Sequence, residues 1–471
     1  MRQCDLCVIG SGPGGQKAAI QAAKLGKSVV VVEKMEFVGG VAINTGTIPS
    51  KALREAVLAV TEAQKHLSEV GAALGDRADR IRRLTASCQR VIRAEIDLVR
   101  GHFLSNGIEL IQGVASFVDP HTVHVEGRRG HERIQAKYIL VATGTSPAKP
   151  KDIPFDGVNI ITSDEVLNLP YVPRSMIVVG GGVIGTEYAS MLAPLGVRVT
   201  LIEGRNRLLE FVDAEICEAL QYHLRKAEMT LRLGEKVVST RLVEPPEGAR
   251  EPTDLLVEAV LESGKTIRAD ALMYCVGRQG ATEALHLDAA GLSADERGRI
   301  KVNEHFQTRV PHIYACGDVI GFPALASTSM EQGRLAAAHM FGQKPEMVAK
   351  LLPYGIYSIP EISMVGWTEE QLTKEGIPYE SGIAQYREIA RGQLLGDDIG
   401  MLKLLIHQET RTVLGVHIIG TGATELVHIG QAVMSFNGTA DYFLNTVFNY
   451  PTLAECYKVA AYNGINKIRS I

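Results

Sequence analysis

Two stretches of the chain have the residue types and spacing to hold a diphosphate. Gly10-Ser11-Gly12-Pro13-Gly14-Gly15 and Gly180-Gly181-Gly182-Val183-Ile184-Gly185 both read G-x-G-x-x-G. In such a run the first glycine (Gly10, Gly180) permits a tight turn. The second (Gly12, Gly182) lets the backbone approach a pyrophosphate, and the third (Gly15, Gly185) lets a helix pack on a strand. The diphosphate then meets unpaired N–H groups at a helix N-terminus. An acid follows each run at the same distance: Glu33 is 23 residues after Gly10, and Glu203 is 23 after Gly180. Either carboxylate can accept from the hydroxyl pair of a nucleotide ribose. One such glycine run is a weak signal; two, each followed by an acid in register, are a strong one.

The elements that must position these residues are legible around them. Cys4 to Gly10 reads as a strand, Gln16 to Leu25 as an alanine-rich helix ended by Gly26, and Ser28 to Glu33 as a second strand. The pattern recurs with a strand from Ser175 to Val179, a helix through Leu195 and a strand from Val197 to Glu203. Between the two, residues 53 to 105 carry helical patterning, with Leu53, Val57, Val60 and Ala63 as a packing stripe. Glu244 to Asp254, rich in proline and charge, reads as a surface loop or hairpin. The last 120 residues alternate short strands (Gly400 to Leu405, Thr412 to His417) with helices such as Thr424 to Met434, without a glycine fingerprint. The expected architecture is α/β, with two Rossmann-like dinucleotide-binding domains and a C-terminal α+β domain.

Composition narrows the function. With 49 basic and 53 acidic residues the net charge is -4, which argues against a nucleic-acid binder working by phosphate neutralisation. No run of eighteen apolar residues occurs, so no membrane insertion is expected. The N-terminus runs straight into the first glycine turn and leaves no room for a signal peptide. Seven cysteines, at 4, 7, 88, 217, 275, 316 and 456, are odd in number and irregular in spacing. That usage fits a reducing cytoplasm. Cys4 and Cys7 have redox spacing, but they lie in a strand, whereas a redox C-x-x-C sits at a helix N-terminus that lowers its thiol pKa. They read as buried strand cysteines.

Further motifs follow in order: Val141-Ala142-Thr143-Gly144, Tyr274-Cys275-Val276-Gly277-Arg278, Thr308, and Ile313-Tyr314-Ala315-Cys316-Gly317-Asp318. In this order the chain resembles the pyridine-nucleotide-disulfide oxidoreductases, the family of lipoamide dehydrogenase and glutathione reductase, over essentially its whole length. The resemblance implies an FAD-binding domain from residues 1–150 and 277–347, an NAD(P)-binding domain from 151–276 and a dimerisation domain from 348–471. It implies a homodimer or higher homo-oligomer. It also implies that Asp318 holds the FAD ribityl chain, that Thr143, Gly144 and Gly277 line the cofactor sites, and that a helix beginning near Ala326 and Ser327 points its N-terminus at the flavin.

The resemblance breaks where the family keeps its thiols. Its two redox cysteines fall on Ala42 and Thr47, just before Ile48-Pro49-Ser50-Lys51. Its C-terminal acid/base histidine falls on Tyr450, in Tyr450-Pro451-Thr452-Leu453-Ala454-Glu455. Disulfide reduction needs a thiolate and a base, and a tyrosine is a poor base at neutral pH. Gly46 to Lys51 and Asn449 to Thr452 instead resemble the si-specific transhydrogenase branch, which moves hydride between NADPH and NAD+ through FAD.

That resemblance implies a ping-pong relay with both nucleotides using one site. Lys51 is expected beside the reactive flavin nitrogen, paired with Glu187, so that negative charge on the flavin is favoured. Glu203 suits the free diol of NAD, while Arg205 and Arg207 could pair with the 2′-phosphate of NADP. Val183 leaves the nicotinamide pocket without an aromatic lid. Tyr450 and Glu455 are expected from the partner subunit. A diaphorase or quinone reductase uses the same motifs, and a nucleotide-binding subunit or redox sensor would need only the fingerprints. A disulfide reductase would need Cys4/Cys7 or Cys456 to replace the missing pair.

Overall fold

The computed structural model describes residues 1–69, 77–128, 130–245, 255–344 and 351–469. The first sheet is built on Arg2–Ile9, which pairs in parallel with Val29–Glu33 on one side and Gly130–Val141 on the other. Glu109–Gln112 and Ile313–Ala315 extend the parallel part. Two antiparallel strands, Val114–Asp119 and Thr122–Gly127, complete seven. Val29 to Val32 are all buried. A β-branched run buried on both faces is what a central parallel strand needs. Helices Pro13–Lys24 and Ala326–Met340 pack together on this sheet. Gly333 makes their close crossing possible, since a Cβ there would run into the Gly14 carbonyl.

Residues Thr145–Pro147 and Arg278–Gly280 pair antiparallel and carry the chain out of this unit and back. Between them lies a five-stranded parallel sheet in the order Thr230–Leu233, Arg198–Glu203, Ser175–Val179, Ala271–Tyr274, Ile160–Ile161. A three-stranded antiparallel sheet, from Val237 to Ala269, covers one face of it. Glu244 and Pro245 lie just past its first strand, in the connection to the antiparallel strand Leu256–Leu261. The rest of the expected loop, 246–254, is outside the described residues. The C-terminal region is a five-stranded antiparallel sheet, from Tyr354–Ile356 to Tyr379–Gln385 at its edges, with helices Ala423–Ser435 and Glu455–Arg469 on it.

Helix Thr47–Glu69 carries Pro49 in its first turn, where the missing N–H costs nothing. Its Leu53 and Val57 are buried in a cluster with Tyr188, Met191 and Leu192 of helix Val183–Leu192. Each such burial contributes roughly 1.5–3 kcal/mol. This packing ties the first unit to the second and sets Lys51 opposite Glu187. The expected stripe stops short: Val60 is half-buried and Ala63 is exposed. Helical spacing marks a face, but the face is buried only as far as a neighbour extends.

The C-x-x-C lies inside Arg2–Ile9. The N–H groups of Asp5 and Leu6 both donate to the Ser28 carbonyl, at 3.0 and 3.1 Å. Cys4 and Cys7 pack in one apolar cluster. Burial pushes the Cys4 thiol up to about 11 and raises that of Cys7 further. Burial also lifts Cys456, to about 12, and all seven cysteines are free thiols. A thiol so raised is a poor nucleophile.

Candidate functional site

A cavity runs along the C-terminal ends of the first sheet's parallel strands. Gly10 turns there with φ +106°, and a Cβ on it would strike the Ala142 carbonyl. A Cβ on Gly15 would collide with the Gly10 carbonyl, so helix and strand could not close. Gly12 differs from both: no heavy atom lies within 4 Å of its Cβ position, which faces open space in the cavity lining. Its glycine serves a ligand rather than the protein's own packing. Helix Pro13–Lys24 begins directly behind it.

Glu33 lies in this lining, buried. Its Oε2 accepts from the Ser11 N–H and hydroxyl at 2.9 and 2.6 Å, and its Oε1 from the Met35 N–H at 2.8 Å. A carboxylate offers about four acceptor sites, so one is left for a ribose hydroxyl. Farther along, Thr143, Gly144 (φ +66°), Asp164 and Asp318 line the same cavity. Thr143 Oγ1 and Asp164 Oδ1 are buried with no protein partner. Burial raises the Asp164 carboxyl against the pull of Arg278. Two orphaned polar atoms and an open glycine cradle in one elongated cavity fit a long polar cofactor such as FAD.

Asp318 is held from behind. Arg278 donates from Nε to Thr145 Oγ1 at 2.7 Å, and Thr145 Oγ1 donates to Asp318 Oδ2 at 3.4 Å. Ala326, first residue of its helix, lines the same end of the cavity. Thr47 and Ala42 line it too. Lys51 sits one turn beyond Thr47, and its Nζ donates to both Glu187 oxygens at 3.0 and 2.8 Å. The Glu187 side chain is only 5% exposed. Its Oε1 also accepts from the Tyr357 N–H at 2.8 Å, and the Tyr357 ring centroid lies 4.7 Å from Lys51 Nζ. Three parts of the chain thus meet at one ion pair.

The second unit repeats the glycine geometry. Gly180 has φ +104°, Gly182 faces open space, and a Cβ on Gly185 would strike the Gly180 carbonyl. Gly277 (φ +83°) lines this second cavity with Glu203 and Arg205. Arg205 and Arg207, which could pair with a 2′-phosphate, both have acidic partners in the structure. Arg205 closes on Glu203, with Nε to Oε1 and Nη2 to Oε2 both at 2.9 Å. Arg207 turns away to Glu370 at 3.0 Å and to the carbonyls of Glu210 and Val212. Burial pushes the Glu203 carboxyl up, but Arg205 and the N–H groups of Arg205 and Gly181 outweigh it and hold it below its ordinary value. Val183 is half-buried against the core and does not line this cavity.

Tyr450 is 69% exposed, and the Glu455 carboxylate has one buried oxygen without a partner. Neither lines either of these two cavities. Asp164, Thr145, Arg278 and Tyr357 were not singled out as site residues from sequence. No motif marks Tyr357, whose contact to Glu187 spans 170 residues.

Comparison with known proteins agrees with this geometry. Residues 4–333 match the pyridine nucleotide-disulphide oxidoreductase family model, and residues 352–461 match that family's dimerisation domain. The chain belongs to the pyridine nucleotide-disulphide oxidoreductase family. Members of this family bind FAD and nicotinamide nucleotides. The oxidoreductase is 53% identical to the soluble pyridine nucleotide transhydrogenases of Mycobacterium bovis and Mycobacterium tuberculosis, covering 100% of this chain and 99% of each of those. It is 44% identical to that of Colwellia psychrerythraea, covering 98% of both chains. Among solved structures it is similar to the HOCl-induced flavoprotein disulfide reductase RclA of Escherichia coli, with a TM-score of 0.85 and 26% identity over 97% of this chain and 99% of that one. LpdA of Mycobacterium tuberculosis shares the fold, with a TM-score of 0.87 at 23% identity, over 98% of this chain and 99% of that one. Among the described residues, no helix of the oxidoreductase is long and apolar enough to cross a membrane.

Proposed function

We propose that this oxidoreductase moves hydride between NADPH and NAD+, the two nucleotides visiting one site in turn. The observation that carries the reading is the Lys51–Glu187 ion pair. It joins the two dinucleotide units one helical turn from Thr47, where a disulfide reductase of the family would need its second thiol. FAD, when bound, would accept hydride from one nicotinamide and give it to another.

The chain's residues then divide the work. Gly10, Gly12 and Gly15 seat the FAD diphosphate on the first helix, and Glu33 takes its ribose. Thr143, Gly144, Asp318 and Ala326 hold the ribityl chain and flavin end. Lys51, kept in place by Glu187 and by the face of Tyr357, sets a positive charge beside the reacting atoms. Gly180, Gly182, Gly185 and Gly277 seat the nicotinamide nucleotide, with Glu203 and Arg205 at its adenosine ribose. Tyr450 and Glu455, supplied by the partner subunit of a homodimer, wall the site against water. The three units are read as 1–150 with 277–347 for FAD, 151–276 for NAD(P) and 348–471 for dimerisation. The setting is cytoplasmic, in keeping with seven free thiols.

The test is anaerobic turnover of the purified protein with NADPH and thio-NAD+. Thio-NADH formation without added dye, with parallel lines in double-reciprocal plots, is expected. No turnover, with a quinone accepting electrons instead, would support a quinone reductase. A colourless protein would support a nucleotide-binding subunit.

A further inference from the structure

The second cavity is lined by two cations among the described residues, Arg205 and Lys236. They stand in opposite electrostatic situations. Glu203 accepts four hydrogen bonds: from the Gly181 N–H, the Arg205 N–H and two guanidinium nitrogens of Arg205. The guanidinium is thereby committed in the two-pronged geometry that arginine forms best. Arg207 is committed elsewhere, to Glu370 and two carbonyls.

Among the described residues Lys236 makes no ion pair and no side-chain hydrogen bond, although Glu235 beside it pairs with Lys265 at 3.6 Å. Its position is nonetheless fixed. The stem lies over the backbone of Gly204, the residue after Glu203, so closely that a Cβ there would be 3.1 Å from Lys236 Cγ and 3.4 Å from Cε. A side chain at 204 would push the stem aside by a few tenths of an ångström. The stem therefore runs beside the loop that follows Glu203, in the lining of the cavity. Glu235 lines the cavity too, but its carboxylate turns to Lys265 and the Ser263 N–H.

We infer that Lys236 is the residue that recognises the 2′-phosphate of NADP(H). This rests on the reading of the second cavity as the nicotinamide-nucleotide site. Arg205 has a different task. It neutralises Glu203, so a phosphate arriving beside that acid meets a balanced pair and one free cation. A free ribose diol makes no demand on Lys236. One site thus takes both nucleotides through two neighbouring groups, which a protein exchanging hydride between them requires.

The experiment uses the FAD-loaded protein and measures Kd for 2′,5′-ADP and 5′-AMP by calorimetry at low and high salt. Lys236→Gln is expected to weaken 2′,5′-ADP about tenfold at low salt, with 5′-AMP changed less than about twofold, and Lys236→Arg to restore most of the loss. Equal weakening of both ligands would show a structural role and overturn the proposal. So would unchanged 2′,5′-ADP binding, or a selective loss in Arg205→Gln but not in Lys236→Gln. If the wild-type protein bound neither ligand, the assignment of the cavity would fall and Lys236 with it. A failure confined to the Lys236 variants leaves that assignment standing.

Discussion

The two strand-end acids of this molecule, Glu33 and Glu203, occupy the same place in the same strand–turn–helix–strand unit, and their surroundings differ. Glu33 accepts three hydrogen bonds, from a serine and from backbone N–H groups, and keeps one acceptor site. Glu203 accepts four and is saturated by its own neighbour, Arg205. The difference begins at one position of the glycine run. Ser11 supplies a hydroxyl that bonds Glu33 and also accepts from the Gly39 N–H at 2.9 Å, tightening the loop over the cavity. Gly181 supplies only its N–H, and Leu208 fills the space where a side chain would go. On the proposed reading, the unit that keeps FAD leaves an acceptor open on its acid, and the unit that exchanges nicotinamide nucleotides pairs its acid with an arginine.

Substitutions can break this contrast. The largest effect is expected at the junction: Lys51→Met should slow flavin reduction by NADPH about 10²–10³-fold, with FAD content unchanged, as measured by stopped-flow absorbance. A loss below tenfold would remove the ion pair from the reaction.

The second prediction concerns how the exchanging unit is braced. Lys403, fully buried in the C-terminal sheet, bonds Asp213 at 2.9 Å, Glu215 at 2.9 Å and Glu369 at 2.6 Å. Lys403→Met leaves Asp213 buried without its cation and should cost about 3–5 kcal/mol in the unfolding step of that unit. Equilibrium denaturation with and without NAD+ measures it, and a change under 1 kcal/mol would contradict it. The pH dependence has a definite sign. Burial pushes the Asp213 carboxyl up, but His417 and Lys403 outweigh it and lower it from its ordinary 3.8. Its contribution is therefore present above that value and is lost as pH falls through the lower folded value. Lys403 is raised from 10.5, so its share persists below that and fades only as pH rises through its higher folded value.

Smaller effects sharpen the comparison. Glu203→Gln releases Arg205 as a second free cation, and should raise the NADPH-over-NADH preference about tenfold in KM ratios. The matching Glu33→Gln should leave that ratio alone and weaken FAD retention instead. Equal responses would mean the two acids are not specialised. Smallest of all, Tyr450→Phe should lower transhydrogenation less than about threefold, because a wall against water survives loss of one hydroxyl. A fall of several orders of magnitude would give Tyr450 a proton-transfer role.

The fold was largely readable in advance because its signals are local. Turn, helix start and strand of each nucleotide unit lie within some two dozen residues, and buried parallel strands need unbroken β-branched runs such as Val29 to Val32. Ala63 marks the limit, since periodicity carries no information on where a packing neighbour ends. Lys51, Glu187 and Asp318 were found through the family's motif order, and backbone patterning alone would not have paired the first two across 136 residues.

By itself the sequence determined the two dinucleotide units, their glycine turns and the alanine and threonine at positions 42 and 47. Those follow from residue identity at fixed spacing. Only the tertiary structure decided which charges are free. Arg205 and Arg207 are alike in the sequence, as basic residues just after a strand-end acid, and nothing in the sequence ties Lys236 to that acid. Folding set one on Glu203, sent one to Glu370 and left one uncommitted over Gly204. Arg205 finds its acid two residues away, but the Glu370 that takes Arg207 lies 163 residues along the chain, and only folding brings it within about 4 Å.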